Sequence, residues 1–448
     1  MEIEIISKEN IKPSSQTPHH LKNYKLSLLD QIIPPVYYPV LLYFPAEPNS
    51  TTDVEFISHR TQLLKQSLSS CLTRFYPFAG IITDSLSVDC NDEGVPFVVA
   101  EVKGCLSNFL EHPDLRLIQT FLPCAFSWDE KAQGSNVVMI QVNVFDCGGL
   151  VIAINVSHNV ADGITLCTFL KDWGLMAQGS SQEICPNYMA QSLFPQISSL
   201  PGEKHLFSDI KHFLKIAKYI PRRYAFDALA ISKLKAKSAS SAVESPTRVE
   251  VISAFIWKCF MVVRSGGASL LTHAVNLRRK TAPPLSENCF GNFLWIAAAQ
   301  NSNENETDLR ILVSKVRESI GQIDDDFVKN MQCEKGCPGY YENLEKTSKR
   351  IPKEAEILSF SSWCKFGIYD IDFGWGRPIW ASNCVPAYSE SLLFNSVTLM
   401  DTRSGDGIEA LVILDEKYVA AFENNEELQT FASIDPSPMT LGKQVLHS

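Results

Sequence analysis

The chain has 448 residues, 45% of them hydrophobic and 20% charged, with 25 Phe, 7 Trp and a formal net charge of −10. This composition belongs to a folded, core-rich protein and excludes a disordered or collagen-like chain; the length suits two domains of roughly 200 residues better than one. The negative balance repels a phosphate backbone and an anionic membrane, so neither is an expected partner.

The amino terminus, Met1-Glu2-Ile3-Glu4-Ile5-Ile6, lacks the basic start and apolar run of a secretory signal. No stretch reaches the roughly 18 apolar residues of a membrane span, and the expected location is the cytoplasm. Thirteen cysteines at long intervals point to reduced, mostly buried thiols. Cys333 and Cys337 form the only close pair, no second pair with ligand spacing accompanies them, and no metal is expected.

Residues 1–20, with Pro13, Ser14, Ser15 and Pro18, read as an extended leader before a strand at Val40–Phe44. Phe56, Leu63, Leu64, Leu68 and Leu72 recur mostly at three- and four-residue steps, which predicts an amphipathic helix over Glu55–Thr73, ended near Tyr76-Pro77. Strands follow at Leu86–Cys90 and Pro96–Val102, with Asn91-Asp92-Glu93-Gly94 as the turn between them. Val137–Val144 and the almost wholly apolar Leu150–Val156, joined by Asp146-Cys147-Gly148-Gly149, predict a hairpin whose second leg is buried on both faces. Asp162-Gly163 then opens a helix over Ile164–Trp173.

From Gly179 to Arg223 periodicity fades and Ser, Pro, Lys and His accumulate. The expected division is therefore an amino-terminal lobe at 1–200, a crossover at 201–225 and a carboxyl-terminal lobe at 226–448. The second lobe begins with helical segments at Ala228–Ser238 and Arg248–Val263, followed by another at Asp308–Ile323 and a loop over Cys333–Tyr341. Strand-like runs return at Phe360–Ile371, Leu392–Met400 and Glu409–Leu414, with Ser404-Gly405-Asp406-Gly407 turning between the last two.

Two motifs carry the chemistry. His158-Asn159-Val160-Ala161-Asp162-Gly163 places a histidine where a buried strand ends before a helix, at the rim where side chains emerge from a sheet. Imidazole can take a proton near pH 7 and return it, so His158 is a candidate general base. The same spacing suits a buried histidine bonded to backbone and an Asp162 that only caps the helix; the residues alone leave both readings open. In Asp372-Phe373-Gly374-Trp375-Gly376-Arg377-Pro378, Gly374 and Gly376 permit backbone angles closed to other residues and let the indole lie on neighbouring chain. A packing turn is the simpler reading of this segment, while Asp372 could in principle carry a proton.

Together the two motifs resemble those of the plant BAHD acyltransferases, which pair H-x-x-x-D-G with D-F-G-W-G some two hundred residues later. Leu26-Ser27-Leu28-Leu29-Asp30-Gln31, Leu72-Thr73-Arg74-Phe75-Tyr76-Pro77-Phe78-Ala79-Gly80, Val88 to Phe97, Asn276-Leu277-Arg278 and Gly291-Asn292 extend the likeness over nearly the whole chain. Ile81 departs from it, since the family usually has a basic residue there. Ser361-Ser362-Trp363-Cys364 and Met400 to Gly407 are similar to the branch of alkaloid and terpenoid O-acetyltransferases.

The resemblance implies an α/β fold of two similar-sized lobes, with mixed sheets flanked by helices as in chloramphenicol acetyltransferase. Coenzyme A and the acceptor would enter a channel between the lobes from opposite sides. Acetyl-CoA would be the donor and a small-molecule alcohol the acceptor; N-acylation, or a longer or aromatic acyl group, is the alternative. By the same likeness His158 is the base, Asp372 is a second catalytic group that with Trp375 shapes the cofactor end of the channel from outside, Asp162 pairs with Arg278 to fix the histidine loop, and Gly163, Gly374 and Gly376 support the two motifs. Ser361 and the Trp363 indole become candidate oxyanion donors, with a hydroxyl and a ring buried in a strand as the other reading, and Arg279 and Lys280 would meet cofactor phosphates or form a solvated face; no heptad pattern is visible, so a monomer is expected. A serine hydrolase fits poorly, because G-x-S-x-G is missing and Ser157 cannot present its hydroxyl to the adjacent His158. A non-catalytic binding protein on the same fold remains the rival from another class.

Overall fold

Leu150–Ser157 is buried at every position. Its alternate side chains enter two cores, Ile152, Ile154 and Val156 on one face and Val151 and Ala153 on the other. Burying such a side chain stabilises by about 1.5–3 kcal/mol, and a run apolar on both faces gains this only inside a sheet covered on both sides. The strand accordingly lies inside a six-stranded sheet of order Ile3–Ile11, Val95–Val102, Val138–Phe145, Leu150–Ser157, Tyr37–Phe44, Trp380–Ser382. Val95–Val102 pairs with Val138–Phe145 in parallel, and the other pairings are antiparallel.

The computed structural model describes the chain apart from residues 47–53, 85, 125–132, 198–212, 265–266, 304–305, 333–337, 350–354, 385–387, 389 and 442–448. Cys333 and Cys337 thus lie outside the described residues. The described cysteines are free, and Cys185 alone among them is exposed. No described helix is long and apolar enough to cross a membrane.

The helix expected near Glu55–Thr73 spans Val54–Arg74 and packs on Gly163–Ala177. Trp173 donates its indole N–H to Leu64 O and Ser67 Oγ, both at 3.1 Å, and Arg74 meets the buried Asp172 at 2.6 Å. A second sheet, eight-stranded among the described residues, runs Leu294–Asn301, Ser269–Asn276, Glu356–Ser362, Ser396–Asp401, Ile408–Asp415, Lys215–Phe226, Glu390–Leu393, with Ser433–Ile434 beside Lys215–Phe226. Ala228–Ser238, Arg248–Val263 and Leu309–Gly321 share its core.

Several expectations are corrected. Ile3–Ile11, read as leader, is an edge strand zipped to Val95–Val102; most of its side chains are exposed, so no buried alternation betrays it. Ser87–Asp89 and Val95–Val102 flank the predicted turn but enter different sheets, the former joining Asn23–Lys25 and Ile81–Ile82. Gly94 there has φ +94°, and a Cβ on it would lie 2.6 Å from Ile11 O. The expected crossover at 201–225 is strand from Lys215, its pattern disguised by Pro221, Arg222 and Arg223. Cys333–Tyr341 becomes helical at Pro338, Phe360–Ile371 is strand only to Ser362, and Leu392–Met400 divides into two strands with different partners.

The halves interlock. Trp380–Ser382 leaves the second half of the chain to pair with Tyr37–Phe44. Trp380 stacks on Tyr43 at 4.6 Å and donates its indole N–H to Glu409 at 3.1 Å, and Glu409 accepts two bonds from the buried Arg223 at 3.0 and 2.8 Å. Conversely, Leu28, Leu29, Ile32 and Ile33 enter a core with Val275, Leu277, Phe293 and Trp295.

Candidate active site

The strand Leu150–Ser157 delivers His158 to the turn before the helix Gly163–Ala177. His158 N–H donates to Val36 O at 2.8 Å, and Val160 N–H donates back to Ser157 O at 3.1 Å, closing the turn. Asp162 caps the helix by accepting Thr165 N–H at 2.9 Å. Gly163 follows because a Cβ there would meet the Phe366 ring at 2.8 Å; the loop after Glu356–Ser362 presses directly on the start of the helix.

The His158 ring is half-buried, 4.6 Å from Tyr38 between centroids, and Tyr38 lies 5.9 Å from Trp363. Trp363 stacks on Phe366 at 6.2 Å, so an aromatic wall continues from the histidine into the second half of the chain. Nδ1 of His158 is enclosed and has no hydrogen-bond partner among the described residues. Burial pushes the imidazole below its ordinary pKa, opposed by its own carbonyl, by Asp162 and by the Asn292 side chain.

Asp162 does more than cap. Arg278, fully buried, meets its Oδ2 at 2.6 Å and Oδ1 at 3.2 Å, and also donates to Thr165 Oγ1, Cys289 O and Gly291 O. Phe293 N–H adds a bond to Oδ2 at 3.0 Å. Burial by itself would raise this carboxyl, but the Arg278 charge and the N–H bonds outweigh it and hold Asp162 below the usual carboxylate range. The pair expected from the sequence is therefore present, and it joins the two halves beneath the histidine turn.

Asp372 bonds within its own motif and to Gln178, which caps the end of the helix Gly163–Ala177. Its Oδ1 accepts Gly374 N–H at 2.7 Å and Gly376 N–H at 3.0 Å, and its backbone carbonyl accepts Gln178 Nε2–H at 2.6 Å. These side-chain hydrogen bonds close the loop that carries Asp372. Gly374 and Gly376 have φ of +100° and +98°, as the glycine spacing anticipates. Trp375 stacks on Phe373 at 5.7 Å beneath the Arg60 guanidinium at 5.1 Å, and Phe373 joins the core of the first sheet.

Arg279 and Lys280, the expected phosphate contacts, each have a protein partner. Arg279 pairs with Glu287 at the surface, and Lys280 donates to Ile320 O at 3.0 Å near the end of the helix Leu309–Gly321. Ser361, on the strand Glu356–Ser362 opposite Thr398, is half-buried, as is Trp363. Sequence reasoning missed Tyr38, hidden in an ordinary strand, and gave no role to Asp30 and Asn292, although both fall in stretches that carry the family likeness.

Two mixed sheets, with a histidine turn at the end of a strand of the first and a buried aspartate–arginine pair bracing that turn, belong to an acyltransferase of the coenzyme A-dependent fold. The chain belongs to the family described as Transferase family, whose model matches residues 1–429. It is 45% identical to an epi-neemfruitin B 7-O-acetyltransferase of Melia azedarach, covering 98% of this chain and 100% of that protein. It is 42% identical to a limonoid 7-O-acetyltransferase of Citrus sinensis, over 98% of this chain and 100% of that one. The crystal structure of vinorine synthase superposes with a TM-score of 0.78 at 32% identity, covering 96% of this chain and 99% of that chain.

Proposed function

We propose that the chain transfers an acetyl group from acetyl-CoA to a ring hydroxyl of a polycyclic terpenoid of the limonoid kind, with His158 as general base. The observation that carries this reading is the placement of His158: half-buried beside Tyr38, with Nδ1 enclosed and burial pushing the imidazole below its ordinary pKa. Nε2 is the nitrogen left for an acceptor. Two relatives above 40% identity, both named as 7-O-acetyltransferases, support the acyl group and the acceptor class. The aromatic wall of Tyr38, Trp363 and Phe366 suits an apolar, rigid acceptor.

In this mechanism the acceptor hydroxyl gives its proton to Nε2 while its oxygen attacks the thioester carbonyl carbon. The tetrahedral oxyanion collapses, the carbon–sulfur bond breaks, and the departing coenzyme A thiolate takes the proton back from the imidazolium. No acyl-enzyme forms. Ser361 and the Trp363 indole remain candidate oxyanion donors, each worth roughly 3 kcal/mol of barrier in comparable acyl transfers. Asp162 and Arg278 keep the histidine turn in place. The reading includes a monomeric enzyme acting in the cytoplasm.

The test is His158→Ala assayed with acetyl-CoA and a panel of hydroxylated limonoids, with products followed by mass spectrometry. Turnover should fall about 10²- to 10⁴-fold while the thermal midpoint stays near that of the parent; unchanged turnover would refute the general-base reading. Rapid thioester loss without acceptor would instead identify a hydrolase.

A further inference from the structure

Asp30 is fully buried and, among the described residues, has no cation beside it. Oδ2 accepts the backbone N–H and hydroxyl of Ser27 at 2.9 and 2.7 Å; Oδ1 accepts the backbone N–H and the Nδ2–H of Asn292 at 2.7 and 2.9 Å. The Ser27 bonds complete a capping box on the four-residue helix Leu28–Gln31, but capping so short a helix does not explain a buried carboxylate, which is expensive to take out of water. Burial pushes Asp30 up to about 6 despite all four bonds.

The other half of its hydrogen bonding reaches 262 residues along the chain. Asn292, itself fully buried, uses its amide a second time, donating Nδ2–H to the backbone carbonyl of His158 at 2.8 Å. The opposite side of that residue is held by Val36 O through its N–H, also at 2.8 Å. In a hydrolase triad a carboxylate orients the base by bonding Nδ1. Here Nδ1 has no such partner among the described residues, and the nearby carboxylates are bonded elsewhere: Asp162 to Arg278, Thr165 and Phe293, Asp30 to Ser27 and Asn292. The peptide that carries the ring is held on both sides, by Asn292 and by Val36.

We propose that Asp30 and Asn292 are positioning residues for the transfer: the Asp30 carboxylate orients the Asn292 amide, and that amide fixes the peptide carrying His158. This rests on His158 being the base. Asn292 takes both carboxylate and carbonyl through one amide group, so an apolar residue at 292 frees the His158 carbonyl, while an amide at 30 confronts Asn292 with a donor. Both changes act on the same peptide.

The experiment compares Asn292→Ala, Asp30→Asn and the double variant in the full chain, with acetyl-CoA and the best acceptor. Each single variant should lower kcat about 10- to 100-fold, as small misplacements of a catalytic group do, with KM for both substrates changed less than about threefold. The Asn292 side chain supports the protonated ring, so the acid limb of kcat/KM in Asn292→Ala should move to lower pH. The double variant should be no slower than the slower single one, because both act through one bond. A kcat above half the parental value with an unmoved limb, or additive losses, would overturn the proposal; failure of both single variants to fold would make the network purely structural and overturn it as well. His158→Ala alongside separates the readings: activity retained there removes the base, whereas an inactive His158→Ala beside fully active Asn292→Ala and Asp30→Asn removes only the positioning role.

Discussion

Asp162 and Asp372 each stand in a glycine-containing motif, yet their surroundings are opposite. Asp162 is buried and bonds an arginine 116 residues away, so its charge helps hold two halves of the chain together. Asp372 is half-buried and bonds amides two and four residues away, so its charge shapes one loop. A similar motif letter thus has a global consequence in one place and a local one in the other, and what decides between them is burial together with the sequence distance of the partner.

The contrast can be broken most directly at Arg278. Arg278→Ala leaves the Asp162 carboxylate buried without its cation, and stability should fall by about 3–5 kcal/mol, read as a lower urea midpoint or loss of soluble chain. A parental midpoint would show that the pair does not brace the halves. Asp372→Ala removes an acceptor from two partly solvated amides and should destabilise by about 1 kcal/mol, with turnover lowered far less than in His158→Ala. Should Asp372→Ala abolish turnover in a folded protein, Asp372 would be the second catalytic carboxylate expected from the sequence.

The smallest effect sharpens the comparison through pH. Burial lowers the His158 pKa, so the base is neutral and competent at pH 7 and is lost only as pH falls through that depressed value. The acid limb of kcat/KM should have its midpoint below about 6.5, the ordinary imidazole value, and Asp372→Asn should leave it in place. A parental midpoint at 7 or above would contradict the direction of the shift.

Much of this was legible in the chain. The helix Ala228–Ser238, the hairpin ending in Leu150–Ser157 and the helix after Asp162 follow from periodicity and capping, which act between residues a few positions apart. The histidine, the Asp162–Arg278 pair and the left-handed glycines of the second motif were named from motifs whose spacing is likewise short or whose likeness spans the whole chain.

What the sequence could determine by itself was the set of local elements and the residue types brought to the site. Tertiary structure alone decided which strands became neighbours: Ile3–Ile11 with Val95–Val102, Lys215–Phe226 inside the second sheet, and Trp380–Ser382 returning to the first. It also turned Arg279 and Lys280 toward Glu287 and Ile320, closed Asp372 on its own loop, and joined Asp30 through Asn292 to His158. Hydrogen bonds between residues 134 or 262 positions apart leave no periodic trace in a sequence; they arise only when separately formed elements are packed against one another and each buried polar group must find a partner.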